Sequence, residues 1–301
     1  MKSRSVLTRR VLLHRGALCL AGFGAGRMLA AEEEEKPLFH VGMVTDLHYA
    51  DKPPTRTRFY REALGKLDEA VGFFNVKRPA FVIELGDFID QADTVEQEIE
   101  WLETIEGRFA KLAMPRHYVL GNHCITTLTK EEFAAHSGAV PAGHHAFDRG
   151  GIRFVILDAC YRGDGAAYAR KNFTWQDANI PPTELQWLAA QLSRASGPAI
   201  VLAHQRLDDA GNHSVRNAAE VRAVLEKSGN VLAVFQGHSH QNDYQKIAGI
   251  HYTTLAAMVE GSGLDNNAYT LLDVMADGSL RLNGFRRQEH RGFPRASNPA
   301  S

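Results

Sequence analysis

Apolar residues along this chain follow two rhythms. Short unbroken runs of strand length, Val41 to Thr45, Ala80 to Leu85, His117 to Leu120, Ala199 to Leu202 and Val231 to Phe235, show little alternation with polar positions. They read as strands. Between the first three lie segments with helical spacing. Leu64, Leu67, Ala70, Val71 and Phe74 recur within Arg58 to Phe74, and Ile99, Leu102, Ile105, Phe109 and Leu112 within Val95 to Leu112. These predict crossover helices on one apolar face each. Pro182 to Leu192, opening on a proline suited to a first helical turn, and Val215 to Lys227 predict two more.

From His145 onward strands are predicted in pairs. Ala146 to Arg149 precedes Ile152 to Leu157 around Gly150-Gly151, Tyr244 to Ile247 precedes Ile250 to Leu255, and Ala268 to Met275 precedes Ser279 to Phe285 around Asp277-Gly278. The expected fold is α/β, a two-sheet mixed β-sandwich flanked by helices. No internal repeat or linker divides it. The expected organisation is a signal over residues 1–31, an acidic tether over 32–37, one domain over 38–290 and a loose tail over 291–301, which has two prolines and no apolar period.

The first residues change the picture of where the chain works. Thr8-Arg9-Arg10-Val11-Leu12-Leu13 is followed by a small-residue apolar stretch from Gly16 to Ala30, with no acid before Glu32. This predicts a twin-arginine export signal, the export machinery as a partner, and a periplasmic or secreted protein. The glycines of Gly22-Phe23-Gly24-Ala25-Gly26 follow no strand, so they read as part of the signal rather than as a phosphate loop. Cys19 lacks the small preceding residue of a lipidation site, and no later segment offers eighteen consecutive apolar residues, so no membrane anchor is expected after cleavage. Residues 1–31 hold six Lys/Arg and no acid, leaving 28 basic against 35 acidic residues. That acidic balance argues against nucleic acid as a partner. The remaining cysteines, Cys124 and Cys160, are a candidate disulfide, although a twin-arginine substrate folds first in a reducing compartment.

Each apolar run of the first kind ends in polar residues: Asp46-Leu47-His48, Gly86-Asp87-Phe88-Ile89-Asp90, Gly121-Asn122-His123, Ala203-His204-Gln205 and Gly237-His238-Ser239-His240. Taken singly, each has a structural explanation, as a turn, a cap or a hydrogen-bonded core histidine. The ordered set, with a strand before each member, gathers oxygen and nitrogen donors where strands leave a sheet. Two neighbouring divalent cations require such donors and a carboxylate between them. Asp46 and His48 suit one ion and Asp87 suits the bridge. Asn122, His204 and His238 suit the second ion, while His240 returns to the first. His123 is left as a proton donor. His40, His117, His136, His144, His145, His251 and His290 fall outside this set, with His213 a possible exception.

In these residues the chain resembles the calcineurin-like metallophosphoesterase superfamily, whose pattern D-x-H, G-D-x-x-D, G-N-H, H, G-H-x-H runs from Asp46 to His240. The resemblance implies metal-ligand roles for Asp46, His48, Asp87, Asn122, His204, His238 and His240, and a leaving-group acid at His123. It implies two divalent ions, of Mn, Fe, Zn or Mg, and hydrolysis of a small phosphorylated substrate by a metal-activated hydroxide. Thr57-Arg58-Phe59-Tyr60-Arg61, Leu85 to Asp90 and Leu157-Asp158-Ala159 are similar, more narrowly, to manganese-dependent ADP-ribose/CDP-alcohol diphosphatases. Two departures stand out. Those enzymes usually carry glutamine at the position of His48, and Cys124 follows His123 where the superfamily commonly has an acid. Asp90 or Asp158 is then expected to orient His123. Substrate contacts are expected from Tyr49, Tyr161, Arg162, Lys171, Asn172 and Arg206. The leaning is to phosphomonoesters or small phosphodiesters. A nucleotide-linked pyrophosphate is the alternative, and a nuclease or a non-catalytic metal-binding module the remoter ones.

Overall fold

Strands buried on both faces need cover on both, and the chain supplies it with two sheets face to face and helices outside each. The computed structural model describes residues 36–139 and 143–294; the predicted signal, most of the acidic tether and residues 295–301 lie outside the described residues. In chain order the elements are β1 (Phe39–Val44), α1 (Ala63–Lys77), β2 (Phe81–Glu84), α2 (Val95–Phe109), β3 (Arg116–Tyr118), α3 (Lys130–Ser137), β4 (His145–Arg149), β5 (Ile152–Ile156), α4 (Pro182–Arg194), β6 (Ala199–Leu202), α5 (Ala218–Ser228), β7 (Val231–Gln236), β8 (Asp243–Ile247), β9 (Ile250–Thr254), β10 (Ala268–Val274), β11 (Leu280–Arg286) and β12 (Arg291–Phe293).

The first sheet runs β12-β11-β10-β1-β2-β3 and the second β4-β5-β6-β7-β9-β8. β1, β2 and β3 are parallel, as are β5, β6, β7 and β9, while the outer members join antiparallel. Alternation sorts the side chains. Val41, Met43, Phe81 and Ile83 meet Phe154, Ile200, Leu202 and Phe235 between the sheets. Val44 and Val82 face the α1 and α2 residues Leu67, Phe74, Leu102 and Phe109. Val155, Val201 and Val234 face Leu188 and Leu192 of α4 and Val221 and Leu225 of α5. The mixed two-sheet sandwich expected from the sequence is the fold observed.

Three differences from the sequence reading have local reasons. Helix α1 begins at Ala63 rather than Arg58, because Arg58 bridges Thr55 and Glu260 before a single 3-10 turn over Tyr60–Glu62. Helix α3 was not anticipated: its buried positions are Lys130, Phe133 and Ser137, so it has no apolar stripe to read. A capping box between Thr129 and Glu132 starts it instead. The tail expected from residue 291 is corrected as well. Arg291–Phe293 pairs with β11, and Phe293 is buried in the inter-sheet core.

Candidate metal centre

The five polar segments follow β1, β2, β3, β6 and β7, so parallel strands of both sheets deliver their carboxyl ends to one place. The exits are stitched together: Asp46 N donates to Gly86 O (2.9 Å), His48 N to Asp87 O (2.8 Å), and Gly237 N to His204 O (3.0 Å). Asp46, His48, Asp87, His238 and His240 all have left-handed backbones, with φ of 51°, 44°, 57°, 69° and 64°. Such residues cost about 1–2 kcal/mol each outside glycine, and their gathering at one site marks strain kept for function. Two glycines make room. A side-chain carbon at Gly86 would run into the His204 ring, and one at Gly121 into Asp87.

All seven predicted ligand positions meet here, six in two groups and Asn122 beside them. Asp46, His48 and His240 converge in one, with His48 Nε2 3.0 Å from His240 Nε2 and 3.7 Å from Asp46 Oδ1. Asp87, His204 and His238 form the other, with His204 Nε2 3.1 Å from Asp87 Oδ2 and 3.2 Å from His238 Nδ1. Asp87 Oδ2 also lies 3.5 Å from His48 Nε2 and so sits between the groups. Asn122 lines the same cavity as Asp87 and His238, and its Oδ1 is buried without a hydrogen-bond partner.

Neighbouring groups fix several of these donors. His204 Nδ1 lies 2.9 Å from Leu85 O, which as a donor leaves its Nε2 lone pair for the site. His240 Nδ1 lies 2.6 Å from Glu260 Oε1, an orientation of the kind that carboxylates impose on metal-binding imidazoles. Asp46 Oδ2 accepts from Thr45 Oγ1 at 2.7 Å. Burial alone would raise the Asp87 carboxyl, but His204 and His123 hold it far below the usual carboxylate range. Burial would also lower His204, yet without a bound cation Asp87 and Asp46 push it up to about 9, so a cation taking the Nε2 lone pair displaces a proton there. Converging lone pairs, an orphaned amide oxygen and ionised carboxylates between imidazoles are a donor set that fits divalent cations.

His123 stands beside this set. Its backbone N donates to Asp87 Oδ1 (2.8 Å), its ring meets His48 edge-on at 4.6 Å, and its Nδ1 lies 2.6 Å from Asp90 Oδ1. That last approach is an ion-pair contact rather than an aligned hydrogen bond. Burial lowers the His123 pKa, but Asp87 and Asp90 outweigh it and the imidazole is shifted upward. Of the two acids proposed to orient it, Asp90 is in place. Asp158 is not: it pairs with Lys130 at 2.5 Å and accepts from Cys160 N.

The expected substrate contacts require correction, because most already have partners inside the protein. Tyr49 is buried in the helix-side core, and the Tyr161 ring lies 3.5 Å from Lys130 Nζ. Arg162 is tied to Asp164 and to Asn172 O, and Asn172 closes its own turn on Ala167 and Ala169. Arg206 is buried against Asp208 (2.9 and 2.8 Å) and Asp243 (2.6 Å). Lys171 does line the site. The sequence reading missed Arg58, Trp175 and Glu260 as site residues, and His213 indeed belongs here, its ring 5.4 Å from His238. Cys124 and Cys160 are not joined; each is a buried free thiol, Cys160 facing Leu120 O and Gln205.

A central cavity of about 90 Å³ lies against the ligands, walled by Arg58, His123, Trp175 and His213. It shares Asn122, His123 and Trp175 with a lobe of about 550 Å³ that includes Gln91, Lys171 and Phe173. It shares His213, His238 and His240 with a second lobe, of about 740 Å³, that includes Arg56, Tyr60 and Arg287. Arg58 borders all three, and among the described residues its guanidinium takes no hydrogen-bond or ion-pair partner.

A sequence model of the family described as calcineurin-like phosphoesterase matches residues 39–242. Similar proteins include the manganese-dependent ADP-ribose/CDP-alcohol diphosphatase of Bos taurus, 24% identical over 321 residues, covering 86% of this chain and 95% of the relative. The protein of the same description from Oryza sativa subsp. japonica is 25% identical over 272 residues, covering 75% and 85%. Among solved structures, a dimetal phosphatase from Danio rerio shares the fold at a TM-score of 0.76 and 20% identity, across 86% of this chain and 99% of that one.

Proposed function

Because this chain belongs to the calcineurin-like phosphoesterase family, we propose that it hydrolyses phosphoric esters at a centre of two divalent ions. We propose further that its preferred substrate carries a group on each side of the reacting phosphorus. The observation that carries this reading is the two-lobed cleft: the candidate ligands line a central cavity that shares wall residues with two larger lobes, Arg58 bordering every part. A phosphomonoester would leave one lobe unused. A nucleotide-linked pyrophosphate fills both, and the similar diphosphatases of Bos taurus and Oryza sativa act, by their descriptions, on that class. This reading moves the alternative of the sequence analysis ahead of the monoester.

Asp46, His48 and His240 would hold one ion, Asn122, His204 and His238 the other, and Asp87 both. When bound, the ions supply charge neutralisation for the phosphoryl oxygens and a water nucleophile of lowered pKa. The chain's residues do the rest. Arg58 is placed to grip a non-bridging oxygen with its uncommitted fork of donors. His123, held through Nδ1 by Asp90, has Nε2 left to give a proton to the departing oxygen as the phosphorus–oxygen bond breaks. Lys171 in one lobe and Arg56 and Arg287 in the other offer charge to further phosphates, and Trp175, 36% exposed, offers a flat apolar face.

A panel with Mn²⁺ held constant tests the substrate assignment: a sugar phosphate, a small diester, ADP-ribose and a CDP-alcohol. Higher kcat/KM on the last two supports it, whereas monoester preference returns the function to simple phosphatase chemistry. For residues 1–31 we propose export by the twin-arginine route, supported by Arg9-Arg10 and the acid-free apolar stretch behind them.

A further inference from the structure

Glu260, which orients His240, sits on a loop after β9 that belongs to neither sheet. Something must hold that loop. Its backbone reaches the centre directly: Met258 N donates to Thr45 O (3.1 Å) and Val259 N to Asp46 O (3.0 Å). On its other side Val259 O accepts from Phe59 N (2.9 Å), and Gly261 N donates to Thr57 O (2.8 Å), flanking Arg58. One loop thus touches a ligand backbone, a ligand side chain and the strand-like segment bearing the uncommitted arginine.

The loop is pinned from below by a single buried ammonium. Lys66, on α1 and 1% exposed, donates to Met258 O (2.8 Å), Glu260 O (3.0 Å) and Gly261 O (2.7 Å). Three partners use all three of its protons, and all are backbone carbonyls. A lysine is expensive to bury, and a helix position facing the core is ordinarily filled by an apolar residue. Leu67 and Ala63 on the same helix take that ordinary course. The exception at Lys66 needs a reason beyond packing.

We propose that Lys66 is a positioning residue of the metal centre: by fixing the Met258 to Gly261 backbone it sets Glu260 against His240, and so sets the ion group of Asp46, His48 and His240. The proposal rests on the metal-centre reading given above. It predicts a selective effect, because the Asp87, His204 and His238 group is anchored elsewhere, through Leu85 O. Disturbing Lys66 weakens one ion and spares the other.

The test is Mn²⁺ binding by calorimetry on the chelated full-length protein, for wild type, Lys66→Met, Glu260→Gln and the double variant, with thermal unfolding measured on each. Expected is a loss of ~10–100-fold in affinity for one ion in each single variant, the size seen when a ligand's orienting partner is removed. The second ion keeps its affinity, and the double variant is no weaker than the weaker single one. No binding by wild type overturns the metal centre itself. Binding by wild type with unchanged affinities in Lys66→Met, equal loss of both ions, or additive losses in the double variant overturns the role of Lys66. Should Lys66→Met not fold, Lys66→Gln takes its place beside Glu260→Gln: unchanged affinities in either overturn the proposal, and selective loss of the same ion in both upholds it.

Discussion

The proposed role of His123 is that of an acid rather than a ligand: it borders the cavity, and Asp90 Oδ1 lies 2.6 Å from its Nδ1. His123→Ala is therefore expected to retain both ions by elemental analysis. It should lose ~10²–10⁴-fold in rate on esters with sugar or alkyl leaving groups. Nitrophenyl esters, whose leaving oxygen needs no proton, should lose far less; equal losses on both, or a fall in metal content, would reassign His123 to ligand positioning. At this scale the convergence of the candidate ligands was legible in the sequence because each follows an apolar run at a short distance. Glu260 was not, since it acts across the fold from a loop without a motif. Arg206 and Tyr161 misled for the converse reason: a sequence shows charge and aromaticity but not the Asp208, Asp243 or Lys130 that already engages them.

Among the elements, α4 is tied to the end of β5 by one buried acid. Glu184 Oε1 accepts from Asp158 N (3.1 Å), and its other oxygen contacts His144 Nδ1. Burial, with the Asp158 charge adding to it, pushes Glu184 up to about 8, and burial lowers His144. Both shifts describe a neutral carboxyl–imidazole pair. Glu184 in the folded protein keeps a proton that the unfolded chain loses near pH 4.5, so its contribution to stability falls as pH rises and levels off above about 8. His144 works in the opposite sense below its ordinary value of 6.5, so the fall is cleanest between the two. Urea melts should show wild type losing about 1–2 kcal/mol more than Glu184→Gln from pH 6.5 to 8; parallel curves would mean an ionised Glu184. Strands and strong helices were readable from periodicity. Helix α3, with Phe133 its one buried apolar residue, and β12, three residues ahead of Pro294, gave periodicity nothing to register.

For the whole molecule, the two-sheet sandwich and the gathering of strand exits could be foreseen, because unbroken apolar runs joined by helices leave few topologies. The cleft could not, since its walls come from Arg58, Trp175, His213 and Arg287, which no spacing links. The proposed export is separable from all of this. Replacing Arg9 and Arg10 together by lysine is expected to leave folded, active enzyme in the cytoplasmic fraction, and unchanged export would point to another route. The burial of the ligands has a consequence of its own. Asp46, His48 and His204 are 0% exposed and Asp87 1%, and the cavity of about 90 Å³ beside them is walled in part by Trp175 and His213. Ions held among such buried groups are expected to leave slowly unless a chelator draws them out. The metal content of the purified protein should then record provenance: protein folded in a medium rich in one divalent cation is expected to keep that cation through desalting, and its loss on desalting would show free exchange.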